Sequence, residues 1–162
     1  MDVIVDDTSW YTLPFHSKEL ATFILDSVLS TLQLKKTGLP LEISLLLANN
    51  SRLQQLNLDF RQSDKPTNVL SFPYCPVDIT SLKELFSCNK AAYLGDIAIS
   101  YETIAEEAAE QDKSFKNHFT HMVAHGLLHL LGYDHIKEQD RAVMESIEIE
   151  ILSNLNISNP YN

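Results

Sequence analysis

The chain has 162 residues, 44% of them hydrophobic, and a formal net charge of −10. That length supports one core of ordinary size and leaves no segment for a second, so a single domain over residues 1–162 is expected. The acidic balance argues against loose binding to nucleic acid, DNA included, because such affinity comes mainly from Lys and Arg neutralising phosphates; a small basic site is still compatible with it.

The longest apolar runs, such as Leu127–Leu131, fall far short of the roughly 18 residues that span a bilayer, so no membrane partner is expected. MDVIVDDTSWYTL at the N-terminus has neither the basic flank nor the apolar run of a signal peptide, and a location in the reducing cytoplasm follows as an expectation. Cys75 and Cys88 have no C-x-x-C spacing and read as free thiols.

In chain order, Val3-Ile4-Val5 is a short β-type run, and residues 18–34 (KELATFILDSVLSTLQL) place apolar residues at helical intervals. After Gly38-Leu39-Pro40, residues 41–47 read as a strand, and Asn50 is a candidate cap for a helix over 51–60. Residues 69–72 form a short third strand stopped by Pro73, and residues 93–99 a fourth. Between them, 74–92 is an excursion containing Pro and Cys, with room for one helical turn near Leu82. From Tyr101 the pattern is helical over about 101–112, 115–131 and 138–154. Acidic residues crowd the first and last of these helices (Glu102, Glu106, Glu107, Glu110 and Asp112, then Glu138 to Glu150), a pattern that reads as solvated helix faces. The fold class is α/β (α+β): about four strands in a mixed sheet packed by helices, with a helical C-terminal half. The pattern does not specify strand order.

Four of the six histidines fall in one stretch, HMVAHGLLHLLGYDH, residues 121–135. On a helix His125 and His129 share a face, where two imidazoles can reach one ion. Gly132 then offers a left-handed helix end, and Tyr133-Asp134-His135 brings back a third imidazole. Three imidazoles so spaced can offer zinc three nitrogens with a fourth position open. His121 extends the same face but lies about 12 Å along the axis from His129, at 1.5 Å per residue, too far for one ion to take both. His118 and His121 therefore read as residues behind the ligands or at the surface, with substrate contact as the lesser alternative. Two roles are open to Asp134: orienting a ligand imidazole through its free N–H, or ending the turn.

In the zinc-protease helix H-E-x-x-H the residue after the first histidine is the glutamate that activates water. Here that residue is Gly126. Three neutral imidazoles leave the double positive charge of Zn²⁺ uncompensated, which acidifies water and favours an anionic substrate, so a phosphodiester fits better than a peptide bond. A second segment, FRQSDKPTNVLSFP (60–73), carries Arg61 and Lys65 where a helix leads into a strand. Arg61 is either an ordinary surface charge or a guanidinium matched to phosphate oxygens.

HGLLHLLGYDH (125–135), FRQSDKPTNVLSFP (60–73) and LGDIAIS (94–100) resemble, in order, the motifs of the YbeY family of bacterial endoribonucleases, and the likeness extends over roughly residues 41–155. The resemblance implies a zinc-binding α/β fold, a cytoplasmic location, and single-strand endoribonuclease activity in ribosomal RNA maturation at the small-subunit 3′ end and in ribosome quality control. It implies one Zn²⁺ per chain on His125, His129 and His135, and a catalytic role for Arg61. The implied partners are ribosomal RNA, the ribosome or its small subunit, and ribosome-associated proteins. Two other classes compete: a metal-dependent hydrolase of another bond, and a noncatalytic ribosome-associated factor with structural zinc. Gly126 argues against a protease, and a closed tetrahedral site would favour the noncatalytic class.

Overall fold

The computed structural model describes residues 1–34, 41–75 and 92–162. Among these, four strands form one mixed sheet in the order β1-β2-β4-β3, comprising β1 (Asp2–Val5), β2 (Leu41–Ala48), β3 (Val69–Pro73) and β4 (Ala92–Ser100). β1 pairs parallel with β2 and β2 parallel with β4, while β3 runs antiparallel along the outer edge of β4. Parallel neighbours need crossover connections. Helix α1 (Ser17–Thr31) lies between β1 and β2, and α2 (Asn50–Arg61) between β2 and the β3–β4 pair. Three further helices follow: α3 (Tyr101–Glu110), α4 (Phe115–Leu130) and α5 (Glu138–Asn154).

β2 shows the alternation that makes a strand face a core: Ile43, Leu45 and Leu47 are buried on one side. They join Ile24 and Val28 of α1 and Phe119, Val123 and Leu127 of α4 in the larger core. The other sheet face carries a smaller cluster, in which Leu53 of α2 meets Ala48, Leu70 and Ala98. α4 is consequently buried along most of its length and serves as the central helix of the larger layer.

Two local features depart from the sequence reading. Asn49, and not Asn50, caps α2: its side chain accepts from the Arg52 amide at 2.9 Å, while Asn50 accepts from the hydroxyls of Ser100 and Thr103. Adjacent asparagines offer the same chemistry one residue apart, and the hydroxyls at the β4–α3 junction draw Asn50 inward. A 3₁₀ turn over Thr8–Thr12, absent from the sequence reading, inserts Trp10, whose indole N–H donates to Ala48 O at 2.9 Å with the ring against Phe119. The helical turn expected near Leu82 lies outside the described residues, as does Cys88; Cys75 is an exposed free thiol. No helix among the described residues is long and apolar enough to cross a membrane.

Candidate metal centre

The site is assembled at the C-terminal end of α4. Its last two turns carry His125 and His129, and the chain then reverses at Gly132, which adopts φ 86°. Backbone bonds from the Gly132 amide to His129 O and from the Tyr133 amide to Leu128 O close the helix. The reversal returns His135 to the first two histidines, with its ring 5.3 Å from that of His125 and 5.0 Å from that of His129. The Nε2 atoms of His125 and His129 stand 3.1 Å apart. One nitrogen from each of the three rings lies within 4.8 Å of the others. A tetrahedral ion with bonds of about 2.0–2.1 Å separates its nitrogen ligands by roughly 3.4 Å, so small ring rotations fit this group to a metal. An all-imidazole donor set suits zinc, copper, iron or nickel better than calcium or magnesium.

The electrostatics keep the His129 nitrogen available. Burial, followed by the neighbouring His125 and His135, lowers His129 to about 4; the charge of Asp134 and a backbone bond at Tyr133 pull weakly the other way. His129 is therefore neutral, with a free lone pair, across the physiological range.

Behind the triad lies a residue that the sequence reading assigned to a solvated face. Glu148 of α5 is only 1% exposed, and its Oε1 stands 2.7 Å from Nδ1 of His125. Burial works to raise its pKa, but His121, His125 and the Tyr161 hydroxyl outweigh burial and hold it at about 2. Nε2 of His121 lies 3.6 Å from Glu148, within ion-pair range but beyond a hydrogen bond. Glu107 is a second correction to the solvated-face reading: it takes His118 Nε2 at 2.6 Å and the Asn68 amide at 3.0 Å. Burial works to raise Glu107 as well, yet these two partners carry it below its ordinary value. His118 and His121 are thus buried behind the site and not at the surface, and neither joins the three-histidine group. Asp134 ends the turn, accepting from the His135 amide at 2.7 Å, and among the described residues the carboxylate that meets a candidate ligand imidazole is Glu148.

A cleft of about 570 Å³ opens in front of the triad, with Arg61, Asn68 and Ser71 in its wall. Arg61 arrives there because Gln62, at φ 58°, ends α2, and Asn57 ties the following loop by donating to Lys65 O at 2.8 Å. Among the described residues the exposed guanidinium makes one long contact, from Nη2 to Ser71 O at 3.4 Å, and pairs with no acid, so its remaining donors are available to the cleft. Gly126 points away from this space. A Cβ there would lie 3.0 Å from Ile97 Cγ2 and 3.2 Å from Ser71 Oγ, and its carbonyl accepts from Ser71 Oγ at 3.2 Å. Position 126 is a helix–sheet contact with no room for a base.

Comparison with known proteins matches a family model described as Endoribonuclease YbeY to residues 5–156. An Endoribonuclease YbeY of Bartonella bacilliformis is 44% identical over 145 residues, covering 89% of this chain and 87% of the relative. One from Ehrlichia canis is 41% identical over 152 residues, covering 94% and 90%. A solution structure of a Thermotoga maritima protein superposes with a TM-score of 0.56 at 20% identity, covering 96% of this chain and 91% of that one, which supports the fold.

Proposed function

The chain belongs to the endoribonuclease YbeY family, and from that premise we propose that residues 1–162 act as one domain, a zinc-dependent endoribonuclease of single-stranded ribosomal RNA. The observation that carries this reading is the convergence of three imidazoles on a cleft whose wall presents a guanidinium with no carboxylate partner among the described residues.

His125, His129 and His135 would hold one Zn²⁺ per chain. When bound, zinc supplies Lewis acidity, polarising a phosphoryl oxygen and acidifying water. Other contributions come from the protein. Neutral imidazoles add no negative charge, which favours an anionic phosphodiester in the cleft. Arg61 is the catalytic residue from the second segment: its planar fork matches two phosphate oxygens and neutralises charge that grows as the pentacoordinate phosphorus forms. The cleft of about 570 Å³ in front of the triad is the space an RNA strand would enter. The work assigned to it is small-subunit ribosomal RNA 3′-end maturation and ribosome quality control, in the cytoplasm, on the ribosome or its small subunit and with ribosome-associated proteins. Support for that assignment comes from family membership.

The test is single-turnover cleavage of a labelled single-stranded ribosomal RNA fragment by protein of verified zinc content, beside duplex DNA and a His129→Ala control. Cleavage of the RNA alone, lost in the control, is expected. Equal cleavage by His129→Ala would assign the activity to a contaminant, and no cleavage by any form would favour a noncatalytic zinc protein.

A further inference from the structure

The atom that a histidine offers to a metal is decided by what its other ring nitrogen is doing. For His125 the other nitrogen, Nδ1, faces Glu148 at 2.7 Å. An ionised carboxylate can only accept, so a neutral His125 must carry its proton on Nδ1 and leave the lone pair on Nε2. That lone pair points into the triad, where Nε2 of His129 stands 3.1 Å away.

Glu148 is itself held. It is almost fully buried on α5, and its second oxygen accepts from the Tyr161 hydroxyl. Tyr161 comes from the segment after residue 156, where the family match ends. That segment is tied down on its own account: the Ile157 amide donates to Leu152 O at 2.9 Å and Lys113 Nζ to Pro160 O at 2.8 Å. The Tyr161 ring also meets His121 edge-on, with centroids 5.7 Å apart and planes at 87°. One carboxylate is therefore fixed from two sides, and its free valence falls on a single nitrogen of a single candidate ligand.

We propose that Glu148, clamped by Tyr161 of the C-terminal segment, is the positioning residue of the triad, fixing His125 as its Nδ1–H tautomer and presenting Nε2 to a metal. The inference rests on the metal-binding reading of the three histidines. Outer carboxylates of this kind change metal affinity by about 10- to 100-fold when removed, because the ligand loses both its orientation and part of its basicity. A carboxylate buried only to satisfy the fold would instead alter stability and leave the surviving folded protein's affinity unchanged.

The experiment uses the full chain. Metal-free protein labelled with ¹⁵N-histidine reports the His125 tautomer by long-range ¹H–¹⁵N correlation, and competition with a chromophoric chelator reports zinc affinity. Unmutated protein should contain the Nδ1–H form. Glu148→Gln should mix the tautomers and weaken zinc binding by about tenfold or more, with circular dichroism unchanged. Tyr161→Phe, whose fold does not depend on a buried charge, should weaken it in the same direction by less. An Nε2–H tautomer in unmutated protein would overturn the proposal even if Glu148→Gln did not fold, and unmutated affinity in both variants would do the same. If unmutated protein bound no zinc, the metal reading would fail, while the tautomer would still decide the role of Glu148.

Discussion

His129 stays neutral at the meeting point of three imidazoles, and this has a consequence for stability. In metal-free protein its folded value is about 4 against an ordinary 6.5, so between those values the unfolded chain binds the proton and the folded chain does not. Stability therefore falls as pH drops from about 6.5 to about 4, by ~1–2 kcal/mol once partial solvent exposure is allowed for. Glu148 acts in the same direction over a lower window: its carboxylate stays ionised to about 2 while the unfolded group protonates near 4.5. Urea unfolding of chelator-treated protein at pH 7, 5.5 and 4.5 measures the upper slope, and His129→Gln should flatten it. An identical slope in that variant would place the titration elsewhere. Arg61→Lys separates charge from shape: it keeps the cation but loses the fork, and RNA cleavage should fall roughly tenfold or more, as for a charge-assisted contact of about 1.5–3 kcal/mol. Zinc content should not change. Undiminished cleavage would return Arg61 to the ordinary surface charges. The triad was legible in the sequence because its geometry is local: one helical turn, then one glycine-led reversal. Glu148 was not, since it lies 23 positions from His125 on another helix and inside an acidic run whose other members include exposed Glu138 and Glu150.

Among the elements, β4 carries the most demanding backbone. The β2–β4 register shifts between Glu42 and Ile43, whose partners are Tyr93 and Gly95, so Leu94 is the extra residue of a bulge. Leu94 turns into the core at 2% exposure, and Gly95 takes φ 136°. A Cβ on Gly95 would lie 2.1 Å from the backbone oxygen of Phe72 on β3. Gly95→Ala should therefore separate β3 from β4 and cost about 3 kcal/mol or more, from strain and lost pairing together. Thermal unfolding measures it, and a shift of less than about 2 °C would contradict this account of the bulge. Gly126→Ala is the gentler case, because its neighbours at 3.0–3.2 Å are side-chain atoms that can yield; about 1–2 kcal/mol is expected with zinc binding retained. Strands and helices were legible from periodicity to within a residue or two, except that the first helix ends at Thr31, three residues before the expected end at Leu34. Their order was not: nothing local in Val69–Pro73 distinguishes an antiparallel edge strand from another parallel one. The Trp10 turn escaped for a related reason, since its stability comes from Ala48, Phe115 and Phe119, all distant in the chain.

At the scale of the whole molecule, a net charge of −10 surrounds a site that needs an anion. Attraction for RNA is then confined to a few groups, chiefly Arg61 with Lys65 in the same segment. With about two phosphates neutralised, binding to single-stranded RNA should follow a salt slope near −1.4, losing roughly sevenfold between 50 and 200 mM salt. Filter binding across that range checks it, and a slope of −4 or steeper would contradict the confinement of RNA contacts to this segment. The sheet, the central helix and the reversal at Gly132 bring three imidazoles to one cleft. The direct test of what they are for is the metal content of purified, chelator-stripped and zinc-reconstituted protein, measured by elemental analysis beside His125→Ala. The account predicts one zinc per unmutated chain and close to none in His125→Ala, whose helical content is preserved. Equal zinc in the two proteins would contradict it.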